Sequence, residues 1–406
     1  MSTDLNWMIS VDDHVIEPPD TWQSRLPARF RAVGPRLVQD ELGEAWYYED
    51  KRIPTLGLAA AAGKTREQFS PLPLAYADMR PGCYDPVARV QDMDRSGVLA
   101  SLCFPSFPRL CGQTFHEGKD KELGLACVKA YNDFMLDEWC GSAPGRLIPL
   151  VIIPLWDPAE AAREIERTAG LGARAVSFSE NPSPLNLPSI HDKSRYWDPV
   201  FSAASEAEMP LCTHFGSSSK LVTTSEDTPI IASIAMNPIS LALACIDWLF
   251  SGNLQRFPDL KICMSEGGIG WIPWALERSD YTYDRQRFWA SGQAMTGDML
   301  GGVELDSSVD AAQAAEFDVL PSELFRQHIF GCFIDEPEGA KLIDRVGVDN
   351  VMVEADYPHT DSSWPNSVEI SRRQVGHLAV EDQYKVLRGN AERLFRFTPA
   401  MVASDR

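Results

Sequence analysis

Eight short runs rich in β-branched and apolar residues recur along the chain, and a longer amphipathic stretch follows each of them. The runs fall at Met8 to His14, Ala100 to Phe104, Arg146 to Pro154, Ala173 to Ser179, Pro210 to Phe215, Lys261 to Glu266, His328 to Ile334 and Val351 to Asp356. Strand-then-helix units repeated in this way build parallel sheets, and eight of them predict an α/β fold closed as a (β/α)8 TIM barrel. The helical patterns lie at Pro86 to Gly97, Asp120 to Cys140, Pro158 to Leu171, Tyr196 to Glu208, Pro229 to Leu249, Trp271 to Phe288 and Glu336 to Val346, with a terminal pair after Trp364. Pro86, Pro158 and Pro229 suit first-turn positions, where a missing N–H costs nothing. Gly97, Gly172 and Gly347 suit helix ends, where a left-handed residue is needed.

Two stretches break the rhythm. Residues 16–85 carry many prolines, the Trp46-Tyr47-Tyr48 cluster and the alanine run Ala59 to Ala62, and they read as an insertion after the first strand that serves partly as a flap over the site. Residues 291–327 form a second long connection, between the sixth and seventh strands, with Met295 to Asp310 looped. Neither has the apolar periodicity of an independent domain. Residues 1–406 therefore read as one barrel domain, a length that barrels with insertions reach as single units.

The chain carries 37 basic and 58 acidic residues, a formal charge of −21, so its averaged field repels phosphate backbones and anionic lipid surfaces. Nucleic acid and membranes are excluded as expected partners, and a small-molecule substrate is the alternative. An anionic substrate would need a local cation to hold it. Nine cysteines are scattered without a CxxC pair, several inside apolar runs, and they read as buried thiols of a reducing compartment. No basic region followed by an apolar stretch opens the chain, and no uninterrupted run of 18 apolar residues occurs, so a cytoplasmic location is expected.

Reactive groups of such barrels gather at the carboxyl ends of the strands. Strand one ends in Asp12-Asp13-His14, strand five in Thr213-His214, strand six in Ser265-Glu266 and strand eight in Glu354-Ala355-Asp356. Alternation puts Asp12 and His14 on one face and Asp13 on the other. Taken singly, an aspartate before a turn is a cap and a histidine in an apolar strand is a core residue. Four such groups converging at one barrel mouth would be costly without a cation, which favours metal ligation by Asp12, His14, His214 and Asp356. Mixed nitrogen and oxygen donors suit one divalent ion, with Zn2+ expected and Mn2+ or Fe2+ compatible.

Together, Asp12-x-His14 followed by Glu17-Pro18, then Thr213-His214, Ser265-Glu266-Gly267-Gly268, Asp356-Tyr357-Pro358-His359 and Asn390-Ala391-Glu392-Arg393-Leu394-Phe395, the chain resembles the amidohydrolase-related family. The resemblance spans residues 8 to 396 and reaches the branch that holds aminocarboxymuconate semialdehyde and resorcylate decarboxylases. It implies a metal-dependent barrel with Zn2+ or Mn2+, ligands at Asp12, His14, His214 and Asp356, and self-association. One position departs: decarboxylases of the family place a histidine where this chain has Glu266.

A carboxylate cannot donate as an imidazolium does, and this difference tilts the reading toward hydrolysis through a metal-activated water, with Asp356 as base and Glu266 assisting. Non-oxidative decarboxylation, with Glu266 or Asp356 as acid, is the alternative. A catalytically silent ligand-binding barrel is a third. Phe104 and Arg109, in the loop after strand two, offer an aromatic wall and a cation for a flat acidic substrate, and His359 is placed to meet substrate or orient Asp356. His116 reads as an exposed loop residue, and His191, His328 and His377 as structural. Trp271, Trp274, Phe288 and Trp289 recur at roughly helical spacing, which predicts a core or subunit contact and hence a homo-oligomer.

Overall fold

The structure is a computed structural model that describes residues 4–290 and 319–400. Its barrel strands are β1 (Met8–Val15), β5 (Val98–Pro105), β6 (Leu147–Ile148), β7 (Leu150–Val151), β8 (Ala175–Ser179), β9 (Leu211–His214), β10 (Ile262–Ser265), β11 (Ile329–Phe333) and β12 (Val351–Val353). All pairings are parallel, in the orders β1-β5-β6 and β7-β8-β9-β10-β11-β12. β6 and β7 are two halves of the expected third strand, split at Pro149, which has no N–H to give the ladder. The seam between the last and first strands is bridged just past β12, where the His14 amide donates to Tyr357 O (2.7 Å) and the Asp356 amide to Asp12 O (2.8 Å). Eight strands thus stand in the order of a (β/α)8 barrel.

Every residue of β1, β5 and β8 to β12 is buried, as expected of parallel strands covered on both faces. One apolar cluster takes side chains from all of the strands, among them Val11, Leu102, Leu150, Ala175, Cys212 and Cys332, and Leu394 and Phe395 pack against them. The interior is therefore a filled core below the mouth. β1 slips register against β5 between Ser10 and Asp13. The slip lets Val11 join this core while Asp12, one residue later, serves the mouth beside His14.

The helices start as their sequences demand. Asp85, Asp120 and Asp157 cap the helices Pro86–Ser96, Lys121–Phe134 and Pro158–Gly170 through their carboxylates, and Pro86 and Pro158 take the first turn. Pro229 instead stands just before its helix, Ile230–Phe250. That helix is the one element among the described residues long and apolar enough to cross a membrane by length and composition, although it buries Leu241, Cys245 and Trp248 in this fold. All nine cysteines are buried thiols.

Residues 16–85 contain an antiparallel sheet, β2 (Arg36–Asp40), β3 (Gly43–Tyr48) and β4 (Lys51–Ile53), and their Trp22, Trp46 and Tyr48 are buried in the main core. The second connection differs from expectation at its end, where Pro321–His328 is a helix packed on the barrel. The loop read at Met295 to Asp310 lies outside the described residues. His116 also departs from its exposed-loop reading: it ends the short helix Gln113–His116, half-buried, with Nε2 2.8 Å from Leu185 O. His191, His328 and His377 bond to Asp247, Leu260 O and Gln374 O respectively. Trp271 is half-buried and Trp274 is 63% exposed, while the side chains of Phe288 and Trp289 lie outside the described residues.

Candidate metal centre

Four strand ends deliver the centre. Asp12 and His14 come from the end of β1, His214 is the last residue of β9, Glu266 follows β10, and Asp356 follows β12 by three residues. Glu266 and Asp356 both hold left-handed backbone, φ 57° and 53°, a conformation unfavourable for a residue with a side chain, and it marks the two turns that aim these carboxylates inward.

His14 Nε2 lies 3.2 Å from Asp356 Oδ1 and 3.5 Å from Asp12 Oδ1. His214 Nε2 lies 3.3 Å from Asp12 Oδ2 and 3.0 Å from Glu266 Oε2. His359 Nδ1 is 3.0 Å from Asp356 Oδ1, and its ring stacks on that of His14 with centroids 3.7 Å apart. The ring atom His214 Nδ1 sits 2.6 Å from Phe215 O, and a carbonyl only accepts, so the proton is on Nδ1 and the Nε2 lone pair faces the two carboxylates.

Lone pairs therefore confront lone pairs. Asp12 Oδ1 and Oδ2, Asp356 Oδ1 and Oδ2, and the Nε2 atoms of both histidines are buried with no hydrogen-bond partner. Such a cluster is expensive unless a cation or protons lie between the atoms. One ligand atom from each of Asp12, His14, His214 and Glu266 lies within 4.8 Å of the others, as do those of His14, Asp356 and His359. The four-membered group takes Glu266 and not Asp356, which joins His14 and His359 in the second, and mixed nitrogen and oxygen donors of this kind fit a divalent ion.

The electrostatics carry the same strain. Burial, reinforced by the charges of Glu354, Glu266 and Asp356, pushes the Asp12 carboxyl well above its ordinary range. Burial and then the neighbouring His359 push His14 well below its own. For Asp356 burial acts upward, but His359 and His14 outweigh it and hold the carboxyl low. His359 is raised, because Asp356 outweighs the opposing effect of burial. Glu266 is pushed up to about 7 by burial and by the charge of Asp356, with His214 pulling the other way.

A cavity of about 470 Å3 opens onto these groups, with apolar walls that include Leu58, Leu110, Phe215 and Ile234. Arg109 and His359 line it. Arg109 is paired with Glu117 and is left-handed, φ 58°. Phe104 is placed differently: it is fully buried, its ring 5.2 Å from that of His214 and 6.0 Å from that of His14, and it packs behind the histidines instead of lining the cavity.

Several residues have supporting roles that the sequence does not announce. Glu354, 1% exposed, accepts the Glu266 amide at 3.1 Å and so fixes the strand-six turn. Glu180, directly after β8, accepts from Ser218 Oγ (2.8 Å) and the Gly216 amide (3.1 Å) and holds the loop that follows His214. It lies one residue past the strand run that ends at Ser179. Arg89, fully buried, donates from Nη2 to His14 O (2.5 Å) and lies over the Tyr357 ring at 4.3 Å. Asp13, facing away from the mouth, accepts the Tyr357 amide at 2.8 Å and the Ser101 hydroxyl.

A family model described as amidohydrolase matches residues 20–397. γ-Resorcylate decarboxylase of Polaromonas sp. (strain JS666 / ATCC BAA-500) is 23% identical over 213 residues, 48% of this chain, and the chain spans 58% of that relative's length. Among solved structures, an amidohydrolase of Mycobacterium avium subsp. paratuberculosis K-10 superposes with a TM-score of 0.68 at 20% identity, covering 97% of this chain and all of the other. A 5-carboxyvanillate decarboxylase of Novosphingobium aromaticivorans DSM 12444, with bound manganese and 3-methoxy-4-hydroxy-5-nitrobenzoic acid, does so with 0.66 at 15% identity, covering 98% and 99%. At these identities the superpositions speak for the barrel. The family match begins after β1 and leaves Asp12 and His14 to the geometry, but it runs through His214, Glu266 and Asp356 to the last helix, and on it the chain belongs to the amidohydrolase family.

Proposed function

We propose that the protein is a metal-dependent, non-oxidative decarboxylase of a small aromatic carboxylic acid. The observation that carries this reading is the cluster of partnerless buried donors from Asp12, His14, His214 and Asp356 at the floor of a largely apolar cavity. Such a floor grips a carboxylate through a cation, and such walls accept a ring. The decarboxylases among the matched relatives support this chemistry over the hydrolysis that the Glu266 substitution favours in the sequence. Use of manganese by one of them makes Mn2+ the ion of choice for loading.

Asp12, His14, His214 and Asp356 would hold a divalent ion, which would supply a Lewis acid for the substrate carboxylate. The rest falls to the chain. Glu266 in its protonated form delivers a proton to the ring carbon that bears the carboxylate. The bond to the carboxyl carbon then breaks, carbon dioxide leaves, and Glu266 regains its proton from water. His359 Nδ1 faces Asp356 Oδ1 at 3.0 Å and would orient that carboxylate as an ion-pair partner. Glu180 and Glu354 keep the turns after His214 and Ser265 in register.

The test is to load the protein with Mn2+, supply a panel of hydroxybenzoic acids, and follow carbon dioxide release together with formation of the matching phenol. Release that disappears in Asp356→Asn supports the reading. Hydrolysis of ester or amide analogues with no carbon dioxide from any acid would replace it by the hydrolase.

A further inference from the structure

The cavity over the metal ligands is larger than one ring needs. It holds about 470 Å3, whereas about 150 Å3 of apolar space is enough to take up benzene. Its remaining walls include apolar side chains from four separate segments. Leu56 and Leu58 come from the insertion after β1, Leu110 from the loop after β5, Phe215 from the position after His214, and Ile234 from the helix Ile230–Phe250.

These walls are anchored. The Ala61 and Ala62 amides donate to Pro358 O at 2.8 and 3.1 Å, which ties the turn that carries Leu58 to the segment between Asp356 and His359. The Gly57 amide donates to Leu72 O (2.9 Å), and Leu56 bridges to Pro73. Ser177 Oγ donates to Leu110 O at 2.6 Å, and Phe215 O faces His214 Nδ1 at 2.6 Å. Yet three of the side chains stand partly in water: Leu58 is 38% exposed, Leu56 44% and Ile234 49%. Single exposed apolar residues are ordinary on a protein surface, but three on the rim of one cavity form a patch that a bound apolar group would cover.

Charge narrows the group further. Arg109 is the only lysine or arginine among the described residues that line the cavity, and Glu117 already pairs with it. Glu266, Asp356 and Asp361 lie on the same walls, so an anionic extension of the ring would meet negative charge. Charge of either sign would lose its water against leucine and isoleucine side chains.

Resting on the decarboxylase reading above, we infer that the aromatic acid carries an extended apolar substituent, an alkyl chain several carbons long or a second ring, with Leu58 and Ile234 as the specificity-determining residues that cover it. The metal ligands take the carboxylate, the inner walls the ring, and the rim the substituent. One of the two residues belongs to the insertion and the other to the helix, so each can be changed without the other.

The experiment is calorimetric binding to the Mn2+-loaded protein, which needs no turnover. Salicylate is the baseline. The 4- and 5-alkylsalicylates with propyl or pentyl chains, and their phenyl analogues, are the test ligands. A methoxyethoxy chain, as long as pentyl, is the polar control. A methylene taken fully out of water is worth about fourfold in affinity, and one half covered about twofold. In one of the two series the pentyl acid is therefore expected to bind at least about tenfold more tightly than salicylate, and the ether control less than about threefold more tightly. Leu58→Asn and Ile234→Asn nearly keep the side-chain size but replace apolar surface by an amide. Each should cut the ratio of pentyl to salicylate affinity by about threefold or more, with Mn2+ bound as in the wild type. Leu58→Ala and Ile234→Ala repeat the comparison should the asparagine variants fold poorly. A smaller gain in both series, an equal gain for the ether control, or a ratio that survives the changes at both positions overturns the inference. The last outcome includes the case in which the rim is a contact between copies of the chain. Failure of the decarboxylase reading shows separately, as alkyl acids that bind tightly and release no carbon dioxide.

Discussion

The amide of Asp356 donates to the carbonyl of Asp12 at 2.8 Å, so two carboxylates from opposite ends of the chain are tied by one backbone hydrogen bond across the barrel seam. Their spacing is built into the closure of the barrel, and His14, between them, faces both. Removing either carboxylate should cost metal before it costs fold. Asp12→Asn and Asp356→Asn are expected to fold with normal circular dichroism, to bind Mn2+ at least about 100-fold more weakly, and to lose nearly all turnover. Equilibrium dialysis against Mn2+ reads the affinity, and wild-type affinity in both variants would remove these residues from the ligand set.

The same confrontation of lone pairs predicts a stability linkage. Binding to the folded chain alone stabilises by about 2.7 kcal/mol when the ion is at 100 times its Kd. Added Mn2+ should therefore raise Tm in a concentration-dependent way, a chelator should reverse the rise, and His214→Ala should abolish most of it. A Tm indifferent to both additions would mean that the cluster is neutralised by protons.

The strands, and the polar groups that end them, are legible in the sequence for a physical reason. Parallel strands buried on both faces must be continuous apolar runs, and polar groups ending such runs stand out, as Asp12, His14, His214 and Asp356 do. What stayed hidden depends on backbone detail that side-chain pattern does not encode. The register slip between Ser10 and Asp13 puts Val11 and Asp12 on duty at successive levels of one interior. The left-handed turns at Glu266 and Asp356 carry no glycine to announce them. Arg89 stands outside any motif and Glu354 is one more acid of a strand end, and only their partners, His14 O and the Glu266 amide, reveal what they do. The motif after strand two puts Phe104 at a wall of the cavity, but as a residue of β5 it turns inward behind the histidines.

Arg89 acts on the seam from outside the barrel. Its guanidinium satisfies His14 O and Gly82 O and lies over Tyr357, the residue that follows Asp356. Losing this buried cation leaves the two carbonyls without their donor and Asp13 without a nearby positive charge, at a cost of about 3–5 kcal/mol. Arg89→Met should lower urea stability by that amount and weaken Mn2+ binding by about 10–100-fold, because His14 loses its anchor. Unchanged Mn2+ affinity in a destabilised protein would confine Arg89 to a structural role.

Glu266 separates proton delivery from metal holding. Glu266→Gln keeps the shape and an oxygen near His214 but carries no transferable proton. Carbon dioxide release is expected to fall by about 100-fold or more while Mn2+ affinity stays within a few-fold. A parallel collapse of metal binding would make the residue a ligand first.

Glu17 should leave a signature in the pH dependence of stability, away from the metal ligands. Its carboxyl, fully buried, accepts the Ser106 and Phe107 amides at 3.0 and 2.9 Å, and burial outweighs these bonds to push it up to about 7 from 4.5. The folded chain then holds this proton where the unfolded chain has released it. Stability must fall as pH rises from about 4.5 to about 7, by at most about 1.4 kcal/mol per pH unit from this group, and level off above. Glu17→Gln cannot ionise, and its amide serves only one of the two N–H groups, so it should be less stable at acid pH yet lack this slope. The difference in unfolding free energy between wild type and variant, measured from pH 4 to 8 by urea titration on chelator-treated protein, should narrow as pH rises. A difference that stays flat would mean that the Glu17 carboxyl titrates alike in the folded and unfolded chains.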